Sequence, residues 1–147
     1  MAGEVASPEI ASPQPASPAV VVSSTDSLYR GINPEFYHEG QLTSGVFFLK
    51  KKHTLQQGPS VGIVRLIPLE NFKSLIGSGW GVGELSASVP LGLNLTVQPL
   101  PDARWGDYAG AHAVMTDYQK MTDKGRTDVA RALKNALQQK ILVKPTG

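Results

Sequence analysis

The tripeptide Ala-Ser-Pro recurs at Ala6-Ser7-Pro8, Ala11-Ser12-Pro13 and Ala16-Ser17-Pro18, and the repeat confines any folded core to the residues beyond it. Almost no large apolar side chain stands between the repeats, so the segment buries too little to offset its ordering entropy. Proline stiffens it toward polyproline II, the conformation of a spacer or tether. Residues 1–27 are therefore expected to be a disordered tail and residues 28–147 a single domain.

Charge divides at the same place. All 14 Lys and Arg follow residue 27, while Glu4, Glu9 and Asp26 precede it, which leaves +5 on the domain and −3 on the tail. That charge is moderate and unclustered apart from Lys50-Lys51-Lys52-His53, so nucleic acid is not an expected partner. A nucleic-acid accessory would instead show one basic face, formed by Lys50 to Lys52 with Arg65 or Arg126. With no cysteine there is no disulfide, no zinc–thiolate centre and no thiol nucleophile. The apolar stretch Ala19 to Val22 is too short for a signal or a membrane span, so a cytoplasmic protein without a membrane partner is expected.

Beyond Leu28, glycine and proline cut the chain into short apolar runs. Leu28 to Ile32, Val46 to Leu49, Val61 to Ile67, Leu93 to Val97 and Ala111 to Met115 read as strands, and Ile141 to Val143 as a final one. Leu69 to Ile76 spaces its apolar residues for a short helix. Gly77-Ser78-Gly79-Trp80-Gly81-Val82-Gly83 is not a dinucleotide fingerprint; it reads as a tight turn or glycine-kinked strand with Trp80 packed over the missing side chains. The next segment, Leu85 to Pro90, does not look helical. Near the end, Thr127 is the expected cap of a helix whose stripe is Val129, Leu133, Leu137 and Ile141. Five to six short strands, in a small antiparallel or mixed sheet packed by one or two helices, make an α+β domain.

Two resemblances rest on particular residues. Leu28-Tyr29-Arg30-Gly31 resembles the arginine-bearing first strand of mono-ADP-ribosyltransferases, which implies that Arg30 grips the pyrophosphate of NAD. Thr43-Ser44 then stands for that family's Ser-Thr-Ser strand, and Glu84 is the one glutamate late enough to serve as its catalytic acid, without the usual Glu-x-Glu or Gln-x-Glu pair. The second resemblance spans most of the domain: Arg30-Gly31-Ile32-Asn33-Pro34, Phe47-Phe48, Ser60-Val61, Ala111-His112-Ala113 and the closing helix are similar to a pattern in small bacterial proteins. It implies an accessory component, from a defence or conflict locus.

Other chemistry has weaker support. His112 with Asp107 or Asp117 and a serine supplies the residue types of a hydrolase, but no G-x-S-x-G elbow accompanies them. His38, His53 and His112 are scattered, so no metal site is expected. The leading expectation is a non-enzymatic interaction or regulatory protein that docks on a protein partner through Trp80, Trp105 and Tyr108 and needs no cofactor. Its alternative is a divergent ADP-ribosyltransferase-like or NAD-binding domain using Arg30, with Ser44 and Glu84 in support.

Overall fold

The computed structural model describes residues 20–47 and 58–146. Among these described residues eight strands follow in chain order: β1 (Ser27–Ile32), β2 (Tyr37–His38), β3 (Gln41–Leu42), β4 (Ser60–Ile63), β5 (Gly81–Ser86), β6 (Thr96–Pro99), β7 (His112–Thr116) and β8 (Ile141–Val143). Three α-helices accompany them, α1 (Leu69–Leu75), α2 (Ser88–Gly92) and α3 (Asp123–Gln138). Six strands form one antiparallel sheet in the order β6-β7-β4-β1-β5-β8, and β2 pairs with β3 in a separate hairpin. The fold is α+β.

Alternation along the strands gives the sheet two different faces. Leu28 and Ile32 of β1, Val61 and Ile63 of β4, Leu85 of β5 and Ala113 and Met115 of β7 form the main core with α3. On α3 that core takes Val129, Ala130, Leu133 and Leu137, as the spacing predicts. Close approach of α3 requires Gly83, because a Cβ there would press on the side chain of Leu137. The opposite face carries Tyr29, Val82 and Ala111, covered by Ile67 and Phe72.

Several elements differ from the sequence expectation. Val46 and Phe47 are not a strand but the end of a 3-10 turn over Ser44–Val46, while Phe48, Leu49 and Lys50 to His53 lie outside the described residues. The run from Val61 breaks after Ile63 into a second 3-10 turn, Val64–Leu66. Strand β6 starts at Thr96, because Asn94 takes a left-handed φ of 66° and ends the turn before it. Residues expected to be non-helical contain α2, whose five residues are too few to show a period. The cap of α3 is Thr122, whose hydroxyl accepts from the Gly125 amide at 3.0 Å, and Thr127 sits inside the helix bonding the Asp123 carbonyl. Ile141 leaves the helix for β8.

The domain also begins before the composition break. Val20 and Val22 pack on the core, and Asp26 is buried where Arg65 donates to it at 2.7 Å. Burial alone raises the Asp26 pKa, but hydrogen bonds from Arg65 and the Ser23 amide hold it below the usual carboxylate range.

Tyr118 is fully buried in the main core, and its hydroxyl has no hydrogen-bond partner among the described residues. Burial raises its pKa, only partly countered by the charge of Arg30. A buried orphan hydroxyl costs about 1–3 kcal/mol. Tyr118→Phe is therefore expected to raise stability by about 1 kcal/mol, read as a higher urea midpoint at unchanged slope; a lower midpoint would show that the hydroxyl has a partner.

Candidate functional site

The strands meet their functional side chains at one place, where the start of β4 lies between β1 and β7. Ser60 opens β4 and is exposed, and His112 opens β7 and is buried. Their strands pair with Gly62 opposite His112 and Ser60 opposite Val114, so both side chains rise from the same face. The His112 Nε2 stands 3.1 Å from the Ser60 Oγ, and its Nδ1 stands 2.6 Å from the carbonyl oxygen of Leu100.

Arg30 reaches the same residue from β1. Its Nη1 donates to the Ser60 carbonyl at 2.8 Å, while Nε and Nη2 donate to the Val46 carbonyl at 3.1 and 2.7 Å. The guanidinium also lies over the ring of Phe47, 5.3 Å from its centroid. Withdrawal from water pulls the Arg30 pKa down to about 10, so it keeps its charge at neutral pH. No carboxylate among the described residues forms an ion pair with it. Three of its N–H groups are used, and a guanidinium has five.

Two hollows adjoin at Ser60. One, about 130 Å³, is largely apolar and lies between Trp80, Trp105, Phe72 and Ile76, with Arg30 and Gly31 beside Ser60. The other, about 230 Å³, is polar and contains Ser60, His112, Asp102 and Arg104. Aromatic rings run from Tyr29 through Phe72 and Trp105 to His112, at centroid separations of 5.3, 5.8 and 4.8 Å. Gly31 admits Trp80, whose ring atom would touch a Cβ there at 3.3 Å. A wider hollow of about 450 Å³ lies elsewhere, beside Asp26 and Arg65, whose charges satisfy each other.

The residues singled out from the sequence fall into place unevenly. Arg30 and Glu84 leave adjacent strands on opposite faces, since Arg30 pairs with Gly83 and Glu84 with Tyr29. Glu84 instead pairs with Lys140 at 3.3 Å, and Ser44 sits on the 3-10 turn rather than on a strand. The serine that heads a strand next to Arg30 is Ser60. Its signal was its position directly after Gly58-Pro59, at the start of an apolar run. Trp80 and Trp105 both line the apolar hollow, while Tyr108 packs against the neighbouring cluster without lining it.

Asp107 is exposed, and Asp117 is bound to Thr96 and Lys120; neither is the partner that orients His112. Arg65 and Arg126 are taken up by Asp26 and Asp123, so neither contributes a free cation to a basic face. Among the described residues no three of His, Asp and Glu gather as metal ligands, and no helix is long and apolar enough to cross a membrane. No family model, curated protein or solved structure matches the chain.

Proposed function

We propose that the protein is an ADP-ribosyltransferase-like domain that binds NAD at the junction of β1, β4 and β7. The observation that carries this reading is the meeting of Arg30 with Ser60: an arginine on the first strand, charged and without a carboxylate partner among the described residues, donates to the residue that heads the neighbouring strand. Arg30 leaves β1 on the face of the main core and reaches the cleft only round the start of β4, where its Nη1 meets the Ser60 carbonyl. A charge without a carboxylate partner among the described residues suits a pyrophosphate there, which takes charge-assisted hydrogen bonds from a guanidinium fork. The hollow between Trp80 and Trp105 suits a flat ring such as nicotinamide. Ser60 takes the serine role that the sequence alone assigns to Ser44, and among the described residues no glutamate lines the hollows beside it.

Docking of a protein partner through Trp80, Trp105 and Tyr108 has less support. Trp105 and Tyr108 are half-buried and committed to the packing of Phe72 and Tyr29, which leaves little of either for a partner.

Calorimetric titration with NAD tests the reading. Saturable binding is expected for the wild type, weakened about 10- to 100-fold in Arg30→Ala, because a charged hydrogen bond contributes about 1.5–3 kcal/mol. Arg30→Lys keeps the charge but loses the fork, and is expected to bind between the two. No heat at millimolar NAD from folded wild type would remove NAD as the ligand.

A further inference from the structure

Resting on the NAD reading of this cleft, we propose that Ser60 and His112 form its proton-accepting pair, and that the group receiving ADP-ribose is a hydroxyl, water included. The tautomer of His112 is fixed by its neighbours. A carbonyl oxygen only accepts, so the 2.6 Å contact with Leu100 places a hydrogen on Nδ1. Neutral imidazole has one N–H, which leaves the lone pair of Nε2 facing the Ser60 hydroxyl. Ser60 therefore donates, and its oxygen keeps lone pairs free toward the polar hollow. Trp105 stands edge-on to the imidazole at 78° and 4.8 Å, which holds the ring in that orientation. Base, hydroxyl and orienting acceptor are thus arranged as in a nucleophile–base–orienter triad, with a backbone carbonyl in the third place.

That arrangement permits a balanced step. The acceptor oxygen bonds to the ribose carbon that carries nicotinamide, and its proton passes to Ser60 Oγ as the proton of Ser60 passes to His112 Nε2. The carbon–nitrogen bond breaks, and its electron pair leaves nicotinamide neutral. His112 then returns a proton to solvent, one per turnover. Ser60 touches the reacting hydroxyl, while His112 acts through Ser60.

The charges facing the pair select the acceptor class. Asp102 is the carboxylate lining this hollow, and Arg104 chelates it through Nε at 3.0 Å and Nη2 at 2.7 Å. Those hydrogen bonds hold the Asp102 pKa down at about 2. A guanidinium acceptor needs a free carboxylate to align and deprotonate it, and among the residues lining this hollow none is free. A neutral hydroxyl needs only a base, which Nε2 supplies.

The test is nicotinamide release from NAD by the full chain, followed by chromatography, with methanol and agmatine as alcohol and guanidinium probes. Expected products are ADP-ribose in water and its methyl glycoside in methanol, with no agmatine adduct. Ser60→Ala and His112→Gln are expected still to bind NAD saturably in calorimetry, yet at saturating NAD to release nicotinamide about 10²–10⁴-fold more slowly, the usual worth of a general base. Ser60→Thr is expected to keep most of the rate, and added imidazole to restore part of it to His112→Ala, neither of which a merely structural role predicts. Unchanged release in Ser60→Ala and His112→Gln, or preferential reaction with agmatine, would overturn the proposal. Wild type that binds NAD but releases no nicotinamide overturns the pair alone, whereas wild type that fails to bind NAD overturns the reading beneath it as well.

Discussion

Gly58→Ala is expected to lose about 2–5 kcal/mol of stability, the sum of a left-handed backbone penalty and a steric clash that cannot relax. Gly58 has φ +71°, a region that alanine enters only at a cost. A Cβ built there would also overlap the carbonyl oxygen of Met115, a backbone atom of β7 rather than the end of a mobile side chain. Moving it would break the bond from the Met115 amide to the Pro59 carbonyl, 3.0 Å, which brings the start of β4 against β7. Because Ser60 lies two residues on, the same shift separates it from His112, so NAD cleavage is expected to fall along with stability. Gly110→Ala is the control: its Cβ would meet nothing within 4 Å and its φ is not positive, so its effect should stay within about 0.5 kcal/mol. Urea midpoints of the two variants decide the matter, and equal midpoints would refute the close approach at Gly58.

How far each element could be read from the sequence depends on the range of the forces that form it. Strand β1, helix α1 and the stripe of α3 were legible because each repeats its own period over several residues, and the core confirms Val129, Leu133 and Leu137 on one face. Trp80 over Gly77 was legible for a local reason, since the two lie in one glycine-rich run, whereas the space it also fills over Gly31 comes from β1 and Gly83 takes Leu137 instead. The β2–β3 hairpin was not, since two-residue strands carry no alternation. It turns through Glu39 and Gly40, both at positive φ, and is held from afar by Gln138, which accepts from the Leu42 amide and donates to the Gly40 carbonyl. The site itself was half legible. Arg30 stood out by its motif, but choosing Ser60 over Ser44 requires knowing which strand lies beside β1, and that pairing joins residues about thirty positions apart. His112 was visible only as a histidine between alanines, because the Leu100 carbonyl that fixes its tautomer arrives from another segment.

Leu133→Ala separates the two faces of the sheet. Leu133 is fully buried between α3 and the sheet, so its truncation is expected to cost about 2–5 kcal/mol through lost transfer energy and the cavity left behind. That loss should not reach Ser60, His112, Trp80 and Trp105, which belong to the opposite face and to the aromatic cluster around Phe72. Below the temperature at which the variant begins to unfold, its NAD affinity and its rate of nicotinamide release should therefore match the wild type. Effects on distant, unconnected sites add independently, which makes the comparison quantitative. Arg30 joins the faces: it lies between Leu28 and Ile32 of the main core in β1, yet donates to the Ser60 carbonyl. A Leu133→Ala protein that is folded but binds NAD more weakly would place that arginine under the control of α3 packing, and the sheet would then act as one mechanical unit rather than as a wall between core and site.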